Sequence, residues 1–203
     1  MFELKIGVLG GTFNPVHNGH INIANKIYNK FRLDKVLFLL NKIPPHKDCK
    51  DILSDDVRLE MLKRAIKCYD YFDIEYYELK NDYVSYTYES LEYLKNCFGN
   101  SELFFIIGSD NLINFGNWKK IDSIFKSAVI VVYLRDNNHL ERILDIKNYY
   151  KYTYDAHIEI FLGDIIDVSS TEVREKITKG EDIFKLVPNS VYDYIISKKL
   201  YLE

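Results

Sequence analysis

The chain has 203 residues, 47% of them hydrophobic, which suits one domain with a real core and at most a small C-terminal extension. With 27 Lys and Arg against 30 Asp and Glu the net charge is −3, which argues against an electrostatic nucleic-acid binder but leaves room for a local anion pocket. No apolar run approaches the ~20 residues of a membrane span. The three cysteines, Cys49, Cys68 and Cys97, have no metal-ligand spacing and cannot all pair, which points to a reduced, cytoplasmic protein.

The predicted elements begin with the apolar run Leu4 to Leu9, read as a buried strand rather than a signal peptide. Gly10-Gly11-Thr12-Phe13-Asn14-Pro15-Val16-His17-Asn18-Gly19-His20 follows, and then a helix with Ile21, Ala24, Tyr28 and Phe31 on one face. The two glycines are expected to let the backbone turn tightly and approach a ligand. Asn14-Pro15 is a turn pair, and Asn18 is a candidate helix cap. His17 and His20, three apart, share a face once the helix begins. With the free amides of that first turn they suit a polyphosphate. Two other phosphate loops are excluded: G-x-G-x-x-G is absent, and no Gly-Lys pair exists for a Walker loop.

Lys35 to Leu40 reads as a second buried strand, running into Asn41-Lys42-Ile43-Pro44-Pro45-His46-Lys47, where two prolines stiffen an arm carrying His46 and Lys47. Ser54-Asp55-Asp56 can cap a helix whose stripe is Val57, Met61, Leu62, Ala65 and Ile66, with Arg58 and Arg64 off it. A short strand, Phe72 to Glu75, precedes Ser85-Tyr86-Thr87 and a helix with Leu91, Leu94 and Phe98 inward; Ser85 or Thr87 is its expected cap. Leu103 to Ile107, apolar on both faces, fits a central parallel strand. It ends in Gly108-Ser109-Asp110, a carboxylate placed either for a ribose hydroxyl or metal or to cap the next helix. Trp118 lies in a polar segment, as an exposed stacking surface would.

Ala128 to Val132 is another strand, ending near Arg135. Leu140 to Tyr154 reads as helix and linker, with Tyr149 to Tyr154 either an interface between copies, so that a homo-oligomer stays open, or plain surface. Ile158 to Leu162 is a last strand. In Val168-Ser169-Ser170-Thr171-Glu172-Val173-Arg174, Ser169 and Glu172 form a capping box, and the spare Ser170, Thr171 and Arg174 suggest a second phosphate site. A terminal helix anchored by Val191 and Ile195 closes the chain. Strands alternating with helices predict a single α/β domain, residues 1–203: an open, Rossmann-like parallel sheet with helices on both faces and a small helical part from about 165 to 203. Ligands should then bind at the carboxyl ends of its strands.

GGTFNPVHNGH, PPHK at 44–47, SYT at 85–87, IIGSDN at 106–111, Trp118 and SSTEVR at 169–174 occur in that order, and together they resemble the bacterial nicotinate-mononucleotide adenylyltransferases. Asn14 stands where many members have Asp. The resemblance implies transfer of AMP from ATP to nicotinate mononucleotide, giving deamido-NAD and pyrophosphate, with Mg²⁺ bound mainly through ATP phosphates and no metal cage of protein ligands. Its implied catalytic residues are His17, His20, Lys47 and Arg174. Implied at ATP are Gly10, Gly11, Thr12, Phe13, Gly108, Asp110, Ser169, Ser170 and Thr171; at the pyridine nucleotide, Asn14, Lys47, Tyr86, Thr87, Trp118 and Arg135. The implied partners are these small molecules, with no nucleic acid and no membrane. Pantetheine-phosphate adenylyltransferases and cytidylyltransferases share part of the pattern. The alternative acceptor is nicotinamide mononucleotide, and a nucleotide sensor without catalysis is the rival of another class.

Overall fold

A computed structural model describes residues 4–42, 52–81, 86–134, 140–163 and 166–202. Among these, strands β1 (Lys5–Gly11), β2 (Lys35–Leu40), β3 (Phe72–Glu75), β4 (Glu102–Gly108), β5 (Val129–Leu134) and β6 (Ile158–Leu162) form one sheet in the order β3-β2-β1-β4-β5-β6. Every neighbouring pair is parallel. β4, apolar from Leu103 to Ile107, lies beside β1 at the centre, where both faces must be buried.

The helices are α1 (Asn18–Phe31), α2 (Asp55–Ile66), α3 (Tyr77–Lys80), α4 (Thr87–Phe98), α5 (Ser109–Ile113), α6 (Ile121–Ser127), α7 (Leu140–Tyr154), α8 (Ser170–Thr178) and α9 (Asn189–Lys198), with a 3-10 turn at Phe115–Asn117. Alternation along β4 shows how they cover the sheet. Phe104 and Ile106 join a core with Ile27 of α1, Met61 of α2, Val173 of α8 and Val191 of α9. Phe105 and Ile107 join the opposite core with Leu91 of α4, Ile124 of α6 and Ile143 of α7. The expected helices on both faces are present, and α8 and α9 share the core of α1 and α2.

Local expectations shift at the helix caps. The N-cap of α1 is His17, not Asn18, whose side-chain amide instead donates to the Lys185 carbonyl at 2.9 Å. The N-cap of α4 is Tyr86, with Thr87 its first residue, so Thr87 is not the cap. Ser54 sits at the N-cap of α2 without a side-chain cap bond, and Asp55 pairs with Arg58 instead. Ser169 caps α8 as expected, its hydroxyl accepting from the Glu172 amide at 3.1 Å. Within the tyrosine run, Tyr150 is core while Tyr149 and Tyr152 are exposed. Cys68 and Cys97 are exposed free thiols, and Cys49 lies outside the described residues.

The chain lays down β1, β2 and β3 in one direction and then crosses back to build β4, β5 and β6 on the other side. The reversal falls between β1 and β4. At such a point the connections after the two strands diverge and leave a crevice at their carboxyl ends. The residues that follow β1 and β4 are therefore the ones placed for a ligand.

Candidate active site

The glycine pair acts otherwise than the sequence suggests. Gly10 and Gly11 are the last residues of β1, and neither has a positive φ. The left-handed turn falls on Phe13, at φ 47. A side chain in that region costs on the order of 1 kcal/mol or more. Burial of the Phe13 ring, 1% exposed and 5.7 Å from the Phe38 ring, offsets it. Gly11 supplies space: a Cβ there would meet the Phe13 ring at 3.0 Å. Phe13 can therefore offer a ligand its backbone but not its ring.

The loop's carbonyls at Thr12, Asn14 and Pro15 are each held by a side chain. Arg58, fully buried, donates to the Thr12 carbonyl at 2.6 Å and the Asn41 carbonyl at 3.0 Å. Arg174 donates to the Asn14 carbonyl at 2.8 Å, and the Ser170 hydroxyl to the Pro15 carbonyl at 2.8 Å. A trans peptide points its C=O and N–H in opposite directions. The buried Arg58 draws the Thr12 carbonyl inward and so turns the Phe13 amide the other way. The Pro15 carbonyl is instead held by Ser170, itself a wall of the histidine cavity, so the Val16 amide turns away from that side.

Three side chains expected to face the ligand, Asn14, Ser170 and Arg174, are engaged in this frame, and Arg174 lines with Thr171 a cavity other than the one that holds the histidines. Asn14, expected at the substrate, is 4% exposed, and its Oδ1 accepts from the Leu53 amide at 3.2 Å and the Tyr201 hydroxyl at 2.9 Å. Both donors need only a carbonyl oxygen, which the Asn14 amide supplies. The Ser170 proton is likewise spent on Pro15, so the group Ser170 offers an anion is its backbone amide.

The two histidines meet as the spacing predicts. Their rings stack at 3.6 Å, and the Phe13 ring meets His20 edge-on at 5.0 Å. The His17 amide donates to His20 Nδ1 at 3.2 Å. An accepting Nδ1 puts the proton of a neutral ring on Nε2, making that nitrogen a donor. Gly19 allows the close approach: a Cβ there would lie 2.9 Å from the Ile166 carbonyl and 3.0 Å from His17 Nδ1.

His17, Gly19 and His20 from the start of α1, and Ser169 and Ser170 from the start of α8, line one cavity of about 170 Å³ with Tyr133 and Ile166. That is about six water volumes, which suits phosphate groups and leaves nucleosides outside. Two helix N-termini facing one cavity add their amides and positive dipole ends, the arrangement an anion needs. Tyr133 was missed from the sequence. Its place at the carboxyl end of the apolar run of β5 was the available signal, and the structure sets it opposite Gly108.

The far side of the crevice carries Gly108 and Asp110. Gly108 is the N-cap of α5, and a Cβ there would meet the Tyr133 hydroxyl at 3.2 Å. Asp110 is exposed in the first turn and does not cap it. Trp118 is half-buried rather than freely exposed, packed 4.6 Å from the Phe115 ring and 6.2 Å from that of Phe105. Next to it, Lys119 donates to the Tyr86 hydroxyl at 2.6 Å, so the Trp118 segment and the start of α4, with Tyr86 and Thr87, lie together. Lys47 and Arg135, with Pro44, Pro45, His46 and Ser85, lie outside the described residues.

Two helix N-termini, paired imidazoles and a doubly wound parallel sheet define a nucleotide-handling α/β protein, and a family model described as Cytidylyltransferase-like matches residues 8–176. The chain is 42% identical over 198 residues to the Clostridium tetani protein named "Probable nicotinate-nucleotide adenylyltransferase", covering 97% of this chain and 98% of that one. It is 40% identical to the protein of the same name from Clostridium acetobutylicum, over 98% of this chain and 99% of that one. Plasmodium falciparum nicotinic acid mononucleotide adenylyltransferase complexed with NaAD shares the fold, with a TM-score of 0.78 at 20% identity over 98% of both chains. The chain belongs to the cytidylyltransferase-like family and, within it, to the nicotinate-nucleotide adenylyltransferases.

Proposed function

We propose that this protein transfers the AMP group of ATP to the phosphate of nicotinate mononucleotide, releasing pyrophosphate and deamido-NAD, a step of NAD biosynthesis carried out in the cytoplasm. The observation that carries the mechanism is the cavity between the first turns of α1 and α8, which holds both histidines. Among the described residues, no helix is long and apolar enough to cross a membrane.

The nucleophile is a phosphate oxygen, already ionised at neutral pH, so no general base is required. It forms a bond to the α-phosphorus of ATP while the bond from that phosphorus to the bridging oxygen breaks, and pyrophosphate leaves with the electron pair. The obstacle is bringing two anions together in line. Fixed geometry supplies about 7–11 kcal/mol in favourable cases, and donors aimed at the developing charge supply more. His20 Nε2 and His17 donate to the transferring phosphate, the Thr12 region holds the α-phosphate, and the Ser170 and Thr171 amides with Arg174 hold the leaving pyrophosphate. Gly10, Gly11, Phe13 and Ser169 shape the wall, Gly108 and Asp110 take the ribose, and Lys47 adds a cation. Tyr86, Thr87, Trp118 and Arg135 serve the pyridine nucleotide, with Trp118 against its ring.

Among the described residues, no three His, Cys, Asp or Glu side chains converge as a metal cage. Mg²⁺ would be carried mainly on the phosphates of ATP, where it would neutralise charge.

Pyrophosphate release measured with ATP and Mg²⁺ tests the reading, comparing nicotinate mononucleotide, nicotinamide mononucleotide and phosphopantetheine. The first acceptor should be strongly preferred. A preference for the second reverses the acceptor, activity with only the third overturns the pyridine site, and ATP binding without turnover favours a sensor.

A further inference from the structure

The loop between β1 and α1 is held by one contact that the reaction does not explain. Tyr201, beyond the end of α9, reaches Asn14 Oδ1 with its hydroxyl at 2.9 Å, and the Leu53 amide fills the other side of that oxygen at 3.2 Å. A carbonyl oxygen has two lone pairs, so these donors fix the orientation of the Asn14 amide. Arg174 holds the backbone carbonyl of the same residue at 2.8 Å. Burial pushes the Tyr201 phenol up, against the opposing pull of Arg174 and Arg58, so it remains a protonated donor. Asn14 lies three residues before His17 and is followed by Pro15, whose carbonyl takes the Ser170 hydroxyl.

We propose that Tyr201 is a positioning residue for nucleotidyl transfer: through Asn14 it sets the loop, and with it the two histidines, against the start of α8. The proposal rests on the reaction given above. It assigns a catalytic consequence to a segment far from the phosphate motifs in sequence. On its outer side Tyr201 borders a cavity of about 680 Å³, also lined by Arg174 and by Lys179, Lys198 and Lys199. These lysines sit at the ends of α8 and α9, where they offset the helix dipoles. Water from that side can replace a lost Tyr201 hydroxyl at little cost in stability, but a mobile water does not fix the loop. Misplacement by about 1 Å can cost on the order of a hundredfold in rate.

The test is steady-state kinetics and melting of the full chain as wild type, Tyr201→Phe, Asn14→Ala and the double variant. Tyr201→Phe keeps the ring and should lower kcat about tenfold while both KM values move less than about threefold and the melting temperature stays within about 2 °C. In the Asn14→Ala background it should have no further effect, because the two residues act as one unit. A kcat within twofold of wild type for Tyr201→Phe overturns the proposal, and that variant suffices if Asn14→Ala does not fold. Effects that multiply in the double variant overturn it too. An inactive wild type instead fails the functional reading itself, and is seen in the same experiment.

Discussion

Arg58 donates to the Thr12 carbonyl at 2.6 Å across 46 residues of sequence, from a side chain with no exposure to solvent. It also holds the carbonyls of Asn41 and Leu53, and it pairs with Asp55. One guanidinium thus joins the end of β1, the end of β2 and the approach to α2.

Arg58→Lys should therefore be far from conservative. An ammonium cannot span these acceptors, since it lacks the planar fork. The loss of several buried hydrogen bonds is worth on the order of 3 kcal/mol, or a melting temperature lower by roughly 6–12 °C. Activity measured well below that temperature should also fall, because the Thr12 carbonyl is released. Thermal melting within 2 °C of wild type would rule out this role for Arg58.

His20→Ala should lower kcat about 10²–10³-fold, as expected for one lost transition-state donor. The hydrogen bond from the His17 amide to Nδ1 sharpens the test. Asn places an oxygen near the Nδ1 position and should keep the helix cap, with stability near wild type and low activity. Gln reaches toward the Nε2 position and should retain more activity than Asn. The reverse order would mean that Nδ1, not Nε2, serves the substrate.

Gly19→Ala sets helix propensity against the site. Ala is favoured over Gly by up to about 1 kcal/mol inside a helix. Yet the new methyl would press on the Ile166 carbonyl and on the His17 ring. We expect kcat to fall roughly ten- to a hundredfold, as displaced catalytic groups do. Full activity with raised stability would show that the His17 ring is free to give way.

Glu78, buried on α3, accepts from the Ser90 hydroxyl at 3.0 Å and from the Lys42 amide. Desolvation pushes its carboxyl up from 4.5 to about 7, the Ser90 and Lys42 hydrogen bonds opposing and nearby Glu89 adding to the rise. The folded state therefore binds this proton more tightly than the unfolded chain. The stability it contributes is fully present below about pH 4.5 and is lost as pH rises through 7. Glu78→Gln keeps an acceptor and removes the charge. It should raise stability at pH 8 by on the order of 2 kcal/mol and change little at pH 4. Melting curves of both proteins at the two pH values check this.

Much of the architecture was legible because it follows from local pattern. The continuous apolar runs at β2 and β4 could be satisfied only by burial on both faces. The three- and four-residue spacings marked the inner side of α2, while on α1 they found Ile21 and Ala24 but missed the buried Ile23 and Ile27. The capping pair Ser169 and Glu172 located α8 for the same reason: its hydrogen bond spans three residues. His17 and His20 were legible too, since their spacing and the start of a helix together dictate a shared face. Asn14, Ser170 and Trp118 were expected at the site from the sequence, but the directions of their side chains were not legible.

What the sequence by itself determined is the six strands in chain order and the longer helices between and after them, though not α3 or α6, together with the expected crevice at the carboxyl ends of the central strands and the residue types that could meet an anion there. Only the tertiary structure decided that α1 and α8 aim their first turns at one cavity. It alone decided that Asn14 faces Tyr201 and Leu53, and that Arg58 is a buried strut rather than a surface charge beside an apolar stripe. Periodicity reports which face of an element is apolar, because burial acts on each element separately. A hydrogen bond between residues 46 or 187 positions apart leaves no local trace. It exists only once packing has brought a donor to an acceptor that water can no longer reach.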